Sequence, residues 1–190
     1  TRLTSGTMNT AVGVFSQDYN RTGVNNTSVG KESLSQLGHD DSDNNTAVGF
    51  QAMRSAGTPN NNDAAQNVAV GSKALTAILD GDNNVAVGYL AGAAITTGEG
   101  NNIIGMSAGD ALTTGILNTV VGYFALSTST DVDRVVAIGT EAMESGNVTS
   151  DADGSVAIGS KALQVLTSGI GNVAVGSGSM AANATSDFNV

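Results

Sequence analysis

One short motif recurs ten times along this chain, and a repeat of that length leaves few folds open. The motif reads Asn, Thr or Val, Ala, Val or Ile, Gly, then two variable residues, then Ala or Ser and often Leu or Met. Its glycines are Gly13, Gly30, Gly49, Gly71, Gly88, Gly105, Gly122, Gly139, Gly159 and Gly176, at steps of 17, 19, 22, 17, 17, 17, 17, 20 and 17 residues. A fixed period with small insertions implies stacked repeats, each packed on its neighbours, rather than a ball around one core. A 17-residue period is too short for the helix pairs of tetratricopeptide, ankyrin or armadillo repeats. It suits one coil of an all-β parallel solenoid, with two strands of about four or five residues joined by two turns.

The local patterning agrees. Val68–Ala69–Val70, Val85–Ala86–Val87, Val135–Val136–Ala137–Ile138, Val156–Ala157–Ile158 and Val173–Ala174–Val175 alternate β-branched residues with alanine, the period of a strand. The residue before the repeat glycine is Val or Ile in all ten copies, and it shares a face with the residue two earlier; this face is assigned to the core. The position between them is Ala in seven copies and Ser28 in another, small enough for a second wall to approach; Ile103 and Val120 depart from the rule. The repeat glycine is expected to supply a positive φ or a close backbone approach at the strand end. A second strand is expected over the Ala/Ser–Leu/Met pairs: Ser33–Leu34, Ala52–Met53, Ala74–Leu75, Ala125–Leu126, Ala142–Met143, Ala162–Leu163 and Ser179–Met180. Thr96–Thr97–Gly98, Thr113–Thr114–Gly115 and Thr167–Ser168–Gly169 mark the return turn.

Asparagine opens the motif in eight copies, at Asn9, Asn26, Asn45, Asn67, Asn84, Asn101, Asn118 and Asn172. Stacked amides can bond along a solenoid as they do in other cross-β stacks, so this row reads as a structural ladder. The polar insertions Gln36–Asn44, Gly57–Gln66 and Gly146–Gly154 read as surface loops. At roughly 4.8 Å per coil the stack makes a rod on the order of 45–50 Å long.

Residues 1–190 read as a single repeat domain. A 17-residue coil encloses little volume and large side chains are few, so association of several copies is expected to bury more apolar surface. The net charge of −10 disfavours nucleic acid and anionic membranes as partners, and it protects a β-rich surface from edge-to-edge aggregation. No apolar run is long enough to span a membrane, so no membrane insertion is expected. The absence of cysteine removes disulfides and thiolate metal sites. No signal peptide is visible and the first residue is Thr1, which points to a processed part or fragment of a longer fibre.

Three stretches carry a resemblance. Ser155–Leu163 (SVAIGSKAL), Asn67–Leu75 (NVAVGSKAL) and Asn45–Met53 (NTAVGFQAM) resemble the head repeats of trimeric autotransporter adhesins of the YadA-like kind. Closely similar NTAVG repeats occur in bacteriophage tail fibres, often ahead of a C-terminal intramolecular chaperone. The likeness covers essentially the whole chain, although head coils of that family are commonly shorter. It implies a left-handed parallel β-roll, three chains packed about a common axis as a homotrimer, and a rod that presents a surface for attachment. The implied location is extracellular, on a virion surface or alternatively a bacterial cell surface. Coiled-coil heptads, membrane-anchor strands and a chaperone segment are not recognisable in these residues. The Asn-rich NTAVG wording favours the phage fibre, with the adhesin head as the alternative. The implied partner is a host-surface glycan or protein receptor.

Candidate sites are sparse. Asp80, Asp82 and Asn84, and Asp151, Asp153 and Gly154, have the alternating oxygen spacing of a calcium loop. An EF-hand needs Gly at its sixth position and Glu at its twelfth, where this chain has Val85 and Ala91 in one case and Val156 and Ala162 in the other. Neither this nor any other cofactor is therefore expected, and acidic turns facing water are the simpler reading. His39 is the only histidine, so neither a usual zinc site nor a Ser-His-Asp triad is supported. The chain is expected not to be an enzyme: the left-handed acyltransferase solenoids have a period of six and need a catalytic histidine. Phe50, Tyr89 and Tyr123 each follow a repeat glycine. They are candidates for receptor contact, because rings offer flat apolar faces to sugars, or they pack at the strand turn or at a subunit contact. The insertions around His39, Pro59 and Asn147 are equal candidates. A purely structural spacer is a further reading. An ice-binding face would need a regular exposed threonine row; Thr10, Thr27, Thr46 and Thr119 share a position, but Val holds it in five copies and it is assigned to the core.

Overall fold

A computed structural model describes residues 5–37, 42–55, 62–144 and 152–190. Ten parallel strands form one sheet in strict sequence order: β1 (Thr10–Val12), β2 (Thr27–Val29), β3 (Thr46–Val48), β4 (Val68–Val70), β5 (Val85–Val87), β6 (Asn102–Ile104), β7 (Thr119–Val121), β8 (Val136–Ile138), β9 (Val156–Ile158) and β10 (Val173–Val175). Each strand belongs to one coil, numbered as its strand, and the chain is a β-solenoid. Register never slips. Val85, Ala86 and Val87 stand against Asn102, Ile103 and Ile104, and Val136 meets Val156 across the longer 20-residue step. The extra residues of the long repeats are therefore looped out without disturbing the ladder. Residues 38–41, 56–61 and 145–151, which include His39, Pro59, Asn147 and Asp151, lie outside the described residues.

The expected second strand does not form. Among the described residues each coil has one three-residue strand, and the Ala/Ser–Leu/Met segment is a run of turns. Left-handed residues cause this. In coil 2, Glu32 has φ 56° and Leu34 φ 48°; in coil 4, Lys73 has φ 60° and Leu75 φ 49°. An extended strand cannot hold such residues. The wall is still tied to its neighbours. The Lys73 N–H donates to the Phe50 carbonyl of the preceding coil (2.9 Å), and the Leu75 N–H donates to the Ala91 carbonyl of the following coil (3.1 Å). Alternate amides thus bond in opposite directions along the axis, offsetting a left-handed conformation that costs about 1–2 kcal/mol per residue.

The strand faces are the reverse of the expectation. Ala47, Ala69, Ala86, Ala137 and Ala157, the middle strand residues, are fully buried, whereas the Val or Ile before the repeat glycine looks outward. The reason is width. The interior is filled by small strand residues against Ala52, Ala74, Ala91, Ala108 and Ala125 and the longer Met53, Leu75, Ile78, Ile95 and Leu112. Two opposed rows of β-branched residues would not fit between walls this close. Ile103 fits because its neighbours shrink. Gly92 and Gly109 replace the Leu or Met of other coils, and a Cβ on either would stand 3.2 Å from Ile103 Cδ1.

The asparagine row forms a buried ladder. Asn45, Asn67, Asn84, Asn101 and Asn118 have no solvent exposure. Asn84 Oδ1 accepts from the Asn101 backbone N–H (3.0 Å) and from Asn101 Nδ2 (3.0 Å). Asn84 Nδ2 in turn donates to the Gly98 carbonyl (2.8 Å). One amide therefore satisfies the entrance to a strand and the exit from a return turn. Val135 and Ser155 interrupt the row. The Val135 N–H still reaches Asn118 Oδ1 (3.0 Å), and Ser155 Oγ accepts from the Asn172 N–H (3.1 Å). Asn84→Ala leaves the Asn101 amide and the Gly98 carbonyl without partners, and buried unsatisfied groups cost about 1–3 kcal/mol each. The expected outcome is a loss of about 2–4 kcal/mol in denaturant unfolding. An exposed change such as Thr114→Ala should stay within about 0.5 kcal/mol.

Candidate interaction surface

Because alanine occupies the interior, the β-branched residues on either side of it face out. Val29, Val48, Val70, Ile104 and Ile158 are 38, 36, 36, 44 and 37 % exposed. Val87, Val121 and Ile138 are half-buried in the same row. Strand pairing stacks these residues one on the next from Val12 to Val175. Beside them runs the row at the start of each strand: Thr27, Thr46, Val68, Val85, Thr119, Val136, Val156 and Val173, all half-buried, and the exposed Asn102. The residues after the repeat glycine add a third row, in which Val14, Phe50, Tyr89, Met106 and Tyr123 are between 41 and 62 % exposed. Lys31, Ser72, Thr140, Ser160 and Ser177 make that third row polar in the other five coils, so the continuous part of the strip is the Val/Ile row with the Thr/Val row beside it, on the order of 450 Å². A strip of that size matches the largest apolar patches found on monomers, which are often functional.

The three aromatic candidates lie on this strip but do not gather. Phe50, Tyr89 and Tyr123 belong to coils 3, 5 and 7, so each is two coils from the next. Lys31 Nζ lies 5.8 Å from the Phe50 ring centre, within reach of a cation–π attraction. Tyr123 packs edge-to-face on Phe124, with ring centres 4.6 Å apart. Their place beside the Val/Ile row relates them to the strip rather than to a pocket of their own. Thr27, Thr46 and Thr119 also stand on the outward face, which corrects their assignment to the core. Val in five coils and Asn102 in a sixth still break the threonine row.

The acidic residues serve the backbone. Asp43, Asp82, Asp133, Asp153 and Asp187 each stand two residues before the ladder position. They accept, in order, from the N–H groups of Val24 (2.6 Å), Ala65 (2.8 Å), Ile116 (2.8 Å), Asp133 (2.8 Å) and Ile170 (2.9 Å) of the preceding coil. Asp80 accepts from Asp63 N–H at 3.3 Å. Asp80, Asp82 and Asn84 thus hold the coil stack, and among the described residues no three His, Cys, Asp or Glu side chains group as metal ligands. No helix among them is long and apolar enough to cross a membrane.

Sequence reasoning missed the outward strip and also a groove on the wall that follows the strand in coils 1–3. Phe15, Tyr19 and Arg54 help to line it, around a cavity of 240 Å³. The strip had a signal in the near-constant small residue between the two β-branched positions. The groove had little, since its residues come from three coils and from motif positions that vary. No protein-family model, curated protein or solved structure matches the chain.

Proposed function

We propose that the chain is a non-enzymatic segment of an attachment fibre, in which copies bury their Val/Ile strips against one another and display their remaining walls to a host surface. The supporting observation is the continuous outward row from Val12 to Val175 on a coil whose own interior is filled by alanine. In a single chain that row would leave a long apolar strip in water. Association of parallel copies covers every coil in the same way, because the rows share one register. Three chains is the number that the likeness to YadA-like heads implies. A rod of this kind presents the same contacts several times over, so weak individual contacts add through avidity. The same likeness supports a virion fibre first and a bacterial adhesin head second.

Immunogold electron microscopy of the source culture, with an antibody against the repeat rod, tests the assignment. Label on virion tails or fibres is the expected result. Label on the cell envelope would transfer the chain to the adhesin reading, and label confined to the cell interior would overturn both.

A further inference from the structure

The geometry points to a saccharide-binding groove across coils 1–3, built by Phe15, Asp18, Tyr19, Glu32, Gln36 and Arg54, that takes a neutral hexose unit of a surface glycan. These side chains line the cavity of 240 Å³ together with Ser35. The chemistry is that of sugar recognition. Two aromatic rings offer flat apolar surfaces for the C–H faces of a pyranose. Carboxylates, an amide and a guanidinium provide acceptors and donors for its hydroxyls. Glu32 is held in place: Gln51 Nε2 donates to its Oε2 (2.7 Å), Lys31 Nζ lies 3.3 Å from Oε1 and Arg54 Nε 3.8 Å from Oε2. Lys31 and Arg54 thus offset the charge of Glu32, and Asp18 adds a second carboxylate whose oxygens can accept from sugar hydroxyls.

Two further observations set these coils apart. First, the sixth residue after the repeat glycine has positive φ at Tyr19 (71°), Gln36 (68°) and Ser55 (59°), and at no other coil among the described residues. Positive φ recurs in the turns of the other coils, so what is particular to coils 1–3 is its position, six residues after the repeat glycine. In coils 4–7 the fifth and sixth positions carry Thr76 and Ala77, Ala93 and Ala94, Asp110 and Ala111, and Ser127 and Thr128, leaving that wall nearly flat. Second, the segment that carries Tyr19 breaks the interior rule. Gln17 and Asn20 are buried where most other coils hold Leu or Met and Leu or Ile, and Gln17 Oε1 and Asn20 Nδ2 find no partner. Local sacrifices of stability gather where function constrains the sequence.

The ligand class rests on the attachment reading, so assembly and binding are measured on the same samples. The intact chain is applied to immobilised oligosaccharides of glucose, galactose, mannose and N-acetylglucosamine, and its mass in solution is recorded. Retention on at least one saccharide is expected. Tyr19→Ala should weaken it roughly tenfold or more, and Tyr19→Phe should hold it within about threefold, because the ring is kept. Gln164→Ala, on the same wall at coil 9, should leave it unchanged. The inference is overturned if no saccharide is retained, if Tyr19→Ala binds as the parent does, or if tetramethylammonium displaces the chain, which would mark a cation cage. An assembled rod that retains no saccharide removes the groove alone; a single chain that binds through Tyr19 removes the fibre reading alone.

Discussion

Gly88→Ala should destabilise the rod by about 3–5 kcal/mol and break its cooperativity near coil 5. Gly88 has φ 141°, a conformation essentially reserved for glycine. A Cβ added there would stand 2.4 Å from the carbonyl oxygen of Gly105, and this is a backbone atom that cannot step aside. The same holds along the row, where an added Cβ at Gly71, Gly105 or Gly122 would come 2.3 Å from the carbonyl of the glycine above. The glycines thus stack backbone on backbone, and one methyl would pry two coils apart. Gly178→Ala is the matched control. It has φ 67° but open space around its Cβ, and Glu32, Lys73 and Lys161 take the same conformation at its motif position. It should cost about 1 kcal/mol. Urea unfolding of the two variants reads both numbers. Equal losses would mean that left-handed strain, not the stacked contact, sets the constraint.

Ile104→Asp should return the proposed assembly to single chains without unfolding them. Ile104 is 44 % exposed in the lone chain, at the middle of the outward row, so the coil itself tolerates a charge there. Buried against other copies, the same carboxylate would lose its water without gaining a partner, at about 3 kcal/mol or more per chain. In a trimer the loss is met three times about one axis. Sedimentation of the variant should show the mass of one chain, with the β signal in circular dichroism retained. Asn83→Asp, on an exposed turn, should leave the mass unchanged. A variant that stays assembled would place the contact between copies elsewhere.

What the chain discloses by itself follows from how locally each feature is encoded. The repeat glycines and the asparagine row could be read directly, because a conformation closed to other residues and a buried amide ladder each demand one residue type at one position. The sense of the strand was not readable in the same way. Val–Ala–Val alternation defines two faces, and the usual rule sends the larger apolar residue inside. In a coil this narrow the interior admits Ala86, and Val85 and Val87 are left outside. The Ala–Leu segment looked like a strand because its side chains are buried. Nothing in those residues announces the positive φ at Leu75 or Met53, which glycine at Gly92 and Gly109 only hints at. The groove is a product of stacking: Tyr19, Glu32 and Arg54 are dispersed in sequence and meet only because register brings coils 1–3 into line.

The central claim is that the outward Val/Ile strip is covered by copies of the same chain. Sedimentation equilibrium of the intact protein over a range of concentrations tests it most directly. Three times the 18.8 kDa of one chain is the result the account predicts. A mass of 18.8 kDa at every concentration would contradict it.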